Sequence, residues 1–157
     1  MSHLKVEAER VIAAKPEDVY VFLADYRKER PKILPPNFSG YAVEEGGLGA
    51  GTVVSYRMRA GRRERLYRMH VDELARGVLT ESDAGSSLVT RWELSPAAEG
   101  ECTRVRLVSE WDGASGVAGF FERLFAPVGL RRIYNDVLAR LAAAVEGSGH
   151  LRAESGE

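Results

Sequence analysis

The sequence predicts an α+β domain in which a curved antiparallel sheet of about six to seven strands wraps around one long C-terminal helix. Two observations predict this arrangement. Between Tyr41 and Asp112, stretches of alternating apolar and polar residues are separated by Gly-containing turn sequences at short, regular spacing, as in a meander of strands. From Val117 to Val145, apolar residues recur every three or four positions, as on one face of a helix.

The length of this helix determines how the two parts pack. About thirty helical residues span roughly 45 Å, whereas a chain of this length has an expected radius of gyration of about 15 Å. The apolar face of the helix therefore needs a partner that is equally wide, and the concave face of the sheet is the only candidate. Pro127 and Gly129 are expected to kink the helix.

The elements before the meander are a strand and two short helices. Residues 4–13 alternate between apolar and polar, which predicts the first strand. Pro16 suits the first position of a helix, and the acids after it suit the positive end of the helix dipole. The segment from Arg27 to Gly40 contains three prolines, which predicts a short broken helix or loop that crosses the structure and could act as a lid.

Side-chain parity along the strands indicates which residues face the helix. The residues placed inward are Val54, Tyr56, Met58, Tyr67, Met69, Val71, Leu88, Thr90, Trp92, Leu94, Thr103, Val105, Leu107, Ser109 and Trp111. Val53 is placed outward, and the strand from Val78 to Ser82 is ambiguous because Val78 and Leu79 fall on opposite parities, so Glu81 is left unassigned.

The inward residues are rich in Tyr, Met and Trp. Rings with a polar tip and flexible thioethers suit an adaptable cavity, although for any single residue a packed core is the commoner explanation. The candidate ligand-binding residues are Tyr56, Met58, Tyr67, Met69, Thr90, Trp92, Trp111, Phe121, Phe125 and Tyr134. The expected partner is a small hydrophobic ligand.

Composition narrows the function classes. A formal net charge of −1 and a mixed-charge pattern of outward residues disfavour binding to nucleic acid. The single Cys102 and three scattered histidines lack metal-ligand spacing, so neither a metal site nor a cofactor is expected. Apolar runs are too short for a signal peptide or a membrane span, so we expect a cytoplasmic protein without integral membrane contact. The sequence leaves the oligomeric state open.

Two motifs have simple structural explanations. The glycines from Gly46 to Gly51 are not followed by Lys-Ser or Lys-Thr, so a hairpin turn is expected there and not a phosphate-binding loop. Arg10 shares the parity of Ile12; it either pairs inside with a group such as Asp136 or Glu81 or reaches solvent at the sheet edge, and the second is slightly favoured.

Several segments together resemble the START-like superfamily of helix-grip domains, also called SRPBCC, which includes polyketide cyclases and lipid-transfer proteins. The segments that carry the resemblance are Val11–Ala14, Pro16–Tyr20, Gly49–Thr52, Thr90–Leu94, Gly100–Val105 and the amphipathic C-terminal helix. The resemblance covers nearly the whole chain, from Leu4 to about Glu146. It implies a cavity between sheet and helix that binds a hydrophobic small molecule, and it implies no particular reaction.

Three hypotheses follow from this. The first is a binding protein for an apolar or aromatic metabolite or lipid. The second is a polyketide aromatase/cyclase-type enzyme that uses the same cavity; whether the chain is an enzyme stays open, because no nucleophile beside a base and no proton-shuttling group is evident. The third and weakest is a modulator that binds a protein through Arg30 to Phe38. We expect one domain over residues 1–146 and a polar, disordered tail over 147–157.

Overall fold

A seven-stranded antiparallel sheet is the largest element among the described residues. The computed structural model describes residues 3–60, 63–112 and 127–155. The strands are β1 (His3–Ile12), β2 (Phe38–Glu45), β3 (Val53–Ala60), β4 (Arg63–Ala75), β5 (Val78–Asp83), β6 (Val89–Ala97) and β7 (Cys102–Asp112). Their order in the sheet is β1-β7-β6-β5-β4-β3-β2, so β2 to β7 form a meander and β1 adds to its far edge. The predicted meander of six to seven strands is confirmed.

Helices close the concave side of this sheet. They are α1 (Pro16–Ala24), a 3-10 helix (Arg30–Ile33) and the long α2 (Pro127–Ser155), and a one-turn 3-10 helix joins β6 to β7 at Ala98–Gly100. The two short helices predicted after the first strand are therefore present. The earlier part of the predicted C-terminal helix, including Phe121 and Phe125, lies outside the described residues.

The end of α2 differs from the sequence-based expectation. A polar, disordered tail was expected over 147–157, but the helix continues through Ser155. Once a helix has formed, each residue added to its end fixes one pair of φ and ψ angles and gains one backbone hydrogen bond. A polar sequence can therefore extend an existing helix. Gly147 and Gly149 disfavour the helix by about 1 kcal/mol each without breaking it.

The core lies between α2 and the sheet. Leu138 and Leu141 of α2 are fully buried, and so are Ile12 of β1 and Val105 of β7. All the strand residues that parity places inward are buried or partly buried. Parity misplaces one residue that was expected to face solvent: Val53 is buried, opposite a register shift in β2 that disrupts the regular alternation.

The glycine-rich turn between β2 and β3 fixes the end of α1. The Tyr26 N–H donates to the carbonyl of Gly47 at 2.8 Å, and the Gly49 N–H donates to the carbonyl of Ala24, also at 2.8 Å. Gly47 has a φ of +141°, and a Cβ there would meet the Arg27 side chain at 2.3 Å. This turn therefore requires glycine, and it positions the chain that leads from α1 to the 3-10 helix.

Three further observations concern the exposure of Arg10, membrane-spanning helices and metal-binding clusters. Arg10 is exposed, as the slightly favoured alternative predicted. Within the described ranges, no helix is both long enough and apolar enough to cross a membrane. Over those same ranges, no cluster of His, Cys, Asp or Glu has the arrangement that could hold a metal ion.

Candidate ligand-binding cavity

A cavity lies between α2, the 3-10 helix and the concave face of the sheet. The centre of a water molecule can occupy about 60 Å³ of this cavity. The lining residues are Tyr26, Arg30, Leu34, Phe38, Tyr41, Val54, Tyr56, Met58, Tyr67, Met69, Glu81, Leu88, Thr90, Trp92, Leu107, Tyr134 and Val137. Most of this wall is apolar or aromatic, which is typical of sites for small organic molecules.

Most of the candidate site residues lie in this wall. Those that line the cavity are Tyr56, Met58, Tyr67, Met69, Thr90, Trp92 and Tyr134. Trp111 is buried in the core and pairs with Leu4, but it is not among the described residues that line the cavity. Phe121 and Phe125 lie outside the described residues, so their place relative to the cavity stays a prediction.

One side of the wall is a run of aromatic rings. Phe38 meets Tyr56 edge to face with the ring centroids 5.4 Å apart, and Tyr56 lies 5.8 Å from Tyr67 in a tilted arrangement. Such pairs are the favoured geometries for rings with a negative face and a positive edge. They give the cavity an aromatic, mainly apolar side.

The segment predicted as a lid contributes to the wall from the opposite direction. Arg30 and Ile33 are buried, and Leu34 and Phe38 line the cavity. The segment thus turns its apolar side chains inward. This leaves few of them to bind a protein partner, which weakens the third sequence hypothesis.

Sequence analysis missed the buried ion pair between Arg30 and Glu81. The two side chains are 7% and 9% exposed, and Arg30 Nη2 donates to Glu81 Oε2. The sequence places Arg30 in the short broken helix or loop after α1, and Glu81 lies in the strand with ambiguous parity. The mixed parity of β5 was the one signal in the sequence. Leu79, Thr80 and Glu81 are all buried, so both faces of this strand are covered.

Neighbouring groups hold this ion pair in place. Tyr26 donates its hydroxyl proton to Glu81 Oε2 at 2.6 Å and accepts from Arg30 Nη2 at 2.9 Å, while Arg30 Nε donates to the carbonyl of Leu23 at 2.8 Å. The guanidinium carbon lies 4.4 Å from the ring centroid of Tyr26 and 4.6 Å from that of Trp92. Burial favours the neutral form of Arg30, but the Glu81 carboxylate, together with Tyr26 and Tyr41, outweighs burial and raises the pKa of the guanidinium. Arg30 therefore stays charged inside the wall.

A second polar group in the wall is a chain of three hydroxyls. Thr90 and Ser109 lie 2.6 Å apart across β6 and β7, and the Ser109 hydroxyl also bonds to the hydroxyl of Tyr134 on α2. Burial raises the pKa of Tyr134 to about 12, and the bonds to hydroxyls oppose that shift. The chain ties the helix to the sheet and keeps its polar atoms paired.

Tyrosine ionisation tests the burial of this wall. The chain has six tyrosines: Tyr20, Tyr26, Tyr41, Tyr56, Tyr67 and Tyr134. Burial is the largest cause that raises the pKa of each one. In the unfolded chain the tyrosines ionise near pH 10. Because each folded pKa lies above the unfolded value, this contribution to stability is complete below pH 10 and is lost as pH rises toward the folded values.

We therefore expect the absorbance at 295 nm of the folded protein to stay flat through pH 10 and to rise in one step with unfolding above it. The same titration in concentrated guanidinium chloride should give a midpoint near 10. Phenolate absorbance that develops at pH 10 while the circular dichroism is unchanged would contradict the buried wall.

The family model described as polyketide cyclase / dehydrase and lipid transport matches residues 3–146. The chain belongs to this family. Its fold is the helix-grip fold that the sequence resemblance implied. No curated protein matches the chain significantly.

Solved structures show the same fold. The chain is similar to the KanY protein, solved by NMR, with 44% identity, a TM-score of 0.82 and coverage of 93% of this chain and 99% of that chain. It is similar to major latex-like protein 151 from Panax ginseng with 16% identity, a TM-score of 0.67 and coverage of 91% and 97%. A norcoclaurine synthase point mutant from Thalictrum flavum, in complex with a transition-state analogue, shares 14% identity with a TM-score of 0.70 and coverage of 94% and 97%.

Proposed function

We propose that this family member binds a small, mainly apolar or aromatic molecule in the cavity between α2 and the sheet. The observation that carries the proposal is the cavity itself, with aromatic rings and thioethers on its wall. Protein interiors contain few voids larger than a water molecule, so an open space between a helix and a sheet is a candidate for a binding site. The membership of the family supports the same role.

Ligand binding should be visible as thermal stabilisation. A ligand at a hundred times its dissociation constant adds about 2.7 kcal/mol to stability, which for a chain of this length corresponds to a rise in Tm of roughly 5–10 °C. We expect at least one member of a panel of apolar and aromatic compounds to produce such a rise, and native mass spectrometry to detect a co-purified molecule. A protein that is isolated empty and is stabilised by no member of the panel would contradict the proposal.

A second candidate is a cyclase-type enzyme, and the Arg30–Glu81 pair is the observation that favours it. Glu81 supplies a carboxylate that could accept a proton inside the cavity, and Arg30 supplies a positive charge that could stabilise an oxyanion. If the chain is such an enzyme, Glu81→Gln should lower the rate of cyclisation of a poly-β-ketone substrate by about 100-fold or more. Equal rates for the wild type, the variant and the reaction without protein would exclude this candidate.

A further inference from the structure

We propose that the ligand of this cavity is uncharged and carries a hydroxyl group, which lies between Arg30 Nη1 and Glu81 Oε1. The proposal rests on the proposed binding function and specifies the class of ligand. It follows from two features of the ion pair: its charges cancel, and each of its two ions keeps one atom free of hydrogen bonds.

The charge balance of the described part of the wall disfavours an ionised group on a bound ligand. Arg30 and Glu81 are the only charged side chains among the described residues that line the cavity, and they neutralise each other. A carboxylate on the ligand would lie beside the carboxylate of Glu81, and the nearby cation, Arg30, is already paired. An ammonium group would lie beside the guanidinium of Arg30, and the nearby anion, Glu81, is already paired. In a wall of low polarity either arrangement is unfavourable.

The hydrogen bonds of the pair leave one donor group and one acceptor. Arg30 uses Nε and Nη2 for its bonds to Leu23, Tyr26 and Glu81. Glu81 accepts through Oε2. Arg30 Nη1 and Glu81 Oε1 have no hydrogen-bond partner among the described residues, yet neither is sealed off by protein atoms, whereas Trp92 Nε1 is sealed off. Both side chains line the cavity, and the proposal assigns these two atoms to the contents of the cavity.

A hydroxyl is the smallest uncharged group that satisfies both atoms at once. Its oxygen accepts from the guanidinium while its proton is donated to the carboxylate. A ketone or an ether accepts from Arg30 but leaves Glu81 Oε1 without a donor. Hydrogen bonds to charged groups are the stronger ones, so the hydroxyl should contribute measurably to affinity.

A series of naphthalenes with one variable substituent tests the proposal. Dissociation constants of 2-naphthol, 2-methoxynaphthalene, 2-methylnaphthalene and 2-naphthoate are measured by equilibrium dialysis. We expect 2-naphthol to bind at least 10-fold more tightly than 2-methylnaphthalene, in line with a hydrogen bond to charged groups. 2-Methoxynaphthalene should show little of this gain, and 2-naphthoate should bind at least 10-fold more weakly than 2-naphthol.

A charge-balanced double variant tests the named atoms. In Arg30→Met/Glu81→Leu the affinity ratio of 2-naphthol to 2-methylnaphthalene should fall to about 1. The matched control is Arg106→Met/Glu93→Leu, which removes an ion pair of 2.9 Å on strands β6 and β7 whose residues are not among those that line the cavity, and it should keep the wild-type ratio. Circular dichroism melting of each variant verifies folding.

The outcomes separate this inference from the function on which it rests. Equal binding of 2-naphthol and 2-methylnaphthalene to the wild type would overturn the inference and leave the apolar cavity as the binding site. A preference for 2-naphthol that survives in the cavity double variant, or tightest binding of 2-naphthoate, would also overturn it. If no naphthalene and no member of the wider panel binds, the proposed function itself fails.

Discussion

Glu81→Leu should destabilise the fold by about 3–5 kcal/mol, because it leaves the buried guanidinium of Arg30 without its counter-ion. The two groups are almost fully enclosed, and the remaining partners of Arg30 are a carbonyl and a hydroxyl, which carry no charge. Urea denaturation followed by circular dichroism measures the change in the free energy of unfolding. Where the leucine variant does not fold, Glu81→Gln preserves the shape of the side chain and should show the same direction of change.

The double variant Arg30→Met/Glu81→Leu is the control for this prediction. Replacing both ions of a buried pair with apolar side chains of similar volume is often neutral or stabilising. We therefore expect the double variant to recover most of the stability lost by Glu81→Leu. A single variant that loses less than about 1 kcal/mol, as exposed pairs do, would show that the pair is not buried in solution.

Val137→Phe should weaken the binding of 2-naphthol by more than 10-fold, because the larger ring fills part of the cavity. Val137 lies on α2, is buried and lines the cavity. Overpacking of a buried position costs about 1–3 kcal/mol of stability, which leaves most domains of this size folded. Equilibrium dialysis measures the affinity, and thermal melting measures the cost to the fold.

Val145→Phe is the matched control on the same helix. Val145 is buried to the same degree as Val137 but is not among the described residues that line the cavity. We expect the two variants to lose similar stability, while only Val137→Phe loses affinity. If both lose affinity equally, or neither does, the binding site is not the space next to Val137.

The architecture was predictable because its determinants are local and periodic. Turn sequences delimit β2 to β7, strand parity identifies inward residues such as Met58 and Met69, and the repeat of apolar residues reveals α2. The long helix and the sheet then have only each other to cover their apolar faces. Strand parity and the helical repeat also identified seven of the residues that line the cavity, and their part in binding is a proposal.

The ion pair could not be predicted because it depends on a contact between distant segments. Arg30 and Glu81 are 51 positions apart, and although the mixed parity around Glu81 leaves its side open, nothing near it in the sequence points to Arg30. Their burial depends on the path of the chain after α1, which the turn around Gly47 fixes. Trp111 shows a second limit of strand parity. Parity correctly predicts that this side chain is buried, but it does not tell how far along the strand the cavity extends.

The methionine methyl groups provide the most direct measurement of where a ligand binds. The chain has three methionines, and two of them, Met58 and Met69, line the cavity. In protein labelled with ¹³C at the methionine methyls, and assigned with Met58→Leu and Met69→Leu, addition of 2-naphthol should shift both resonances and produce nuclear Overhauser effects to the ring protons. If 2-naphthol binds and both resonances stay unchanged, the ligand lies elsewhere and the cavity between α2 and the sheet is not the binding site.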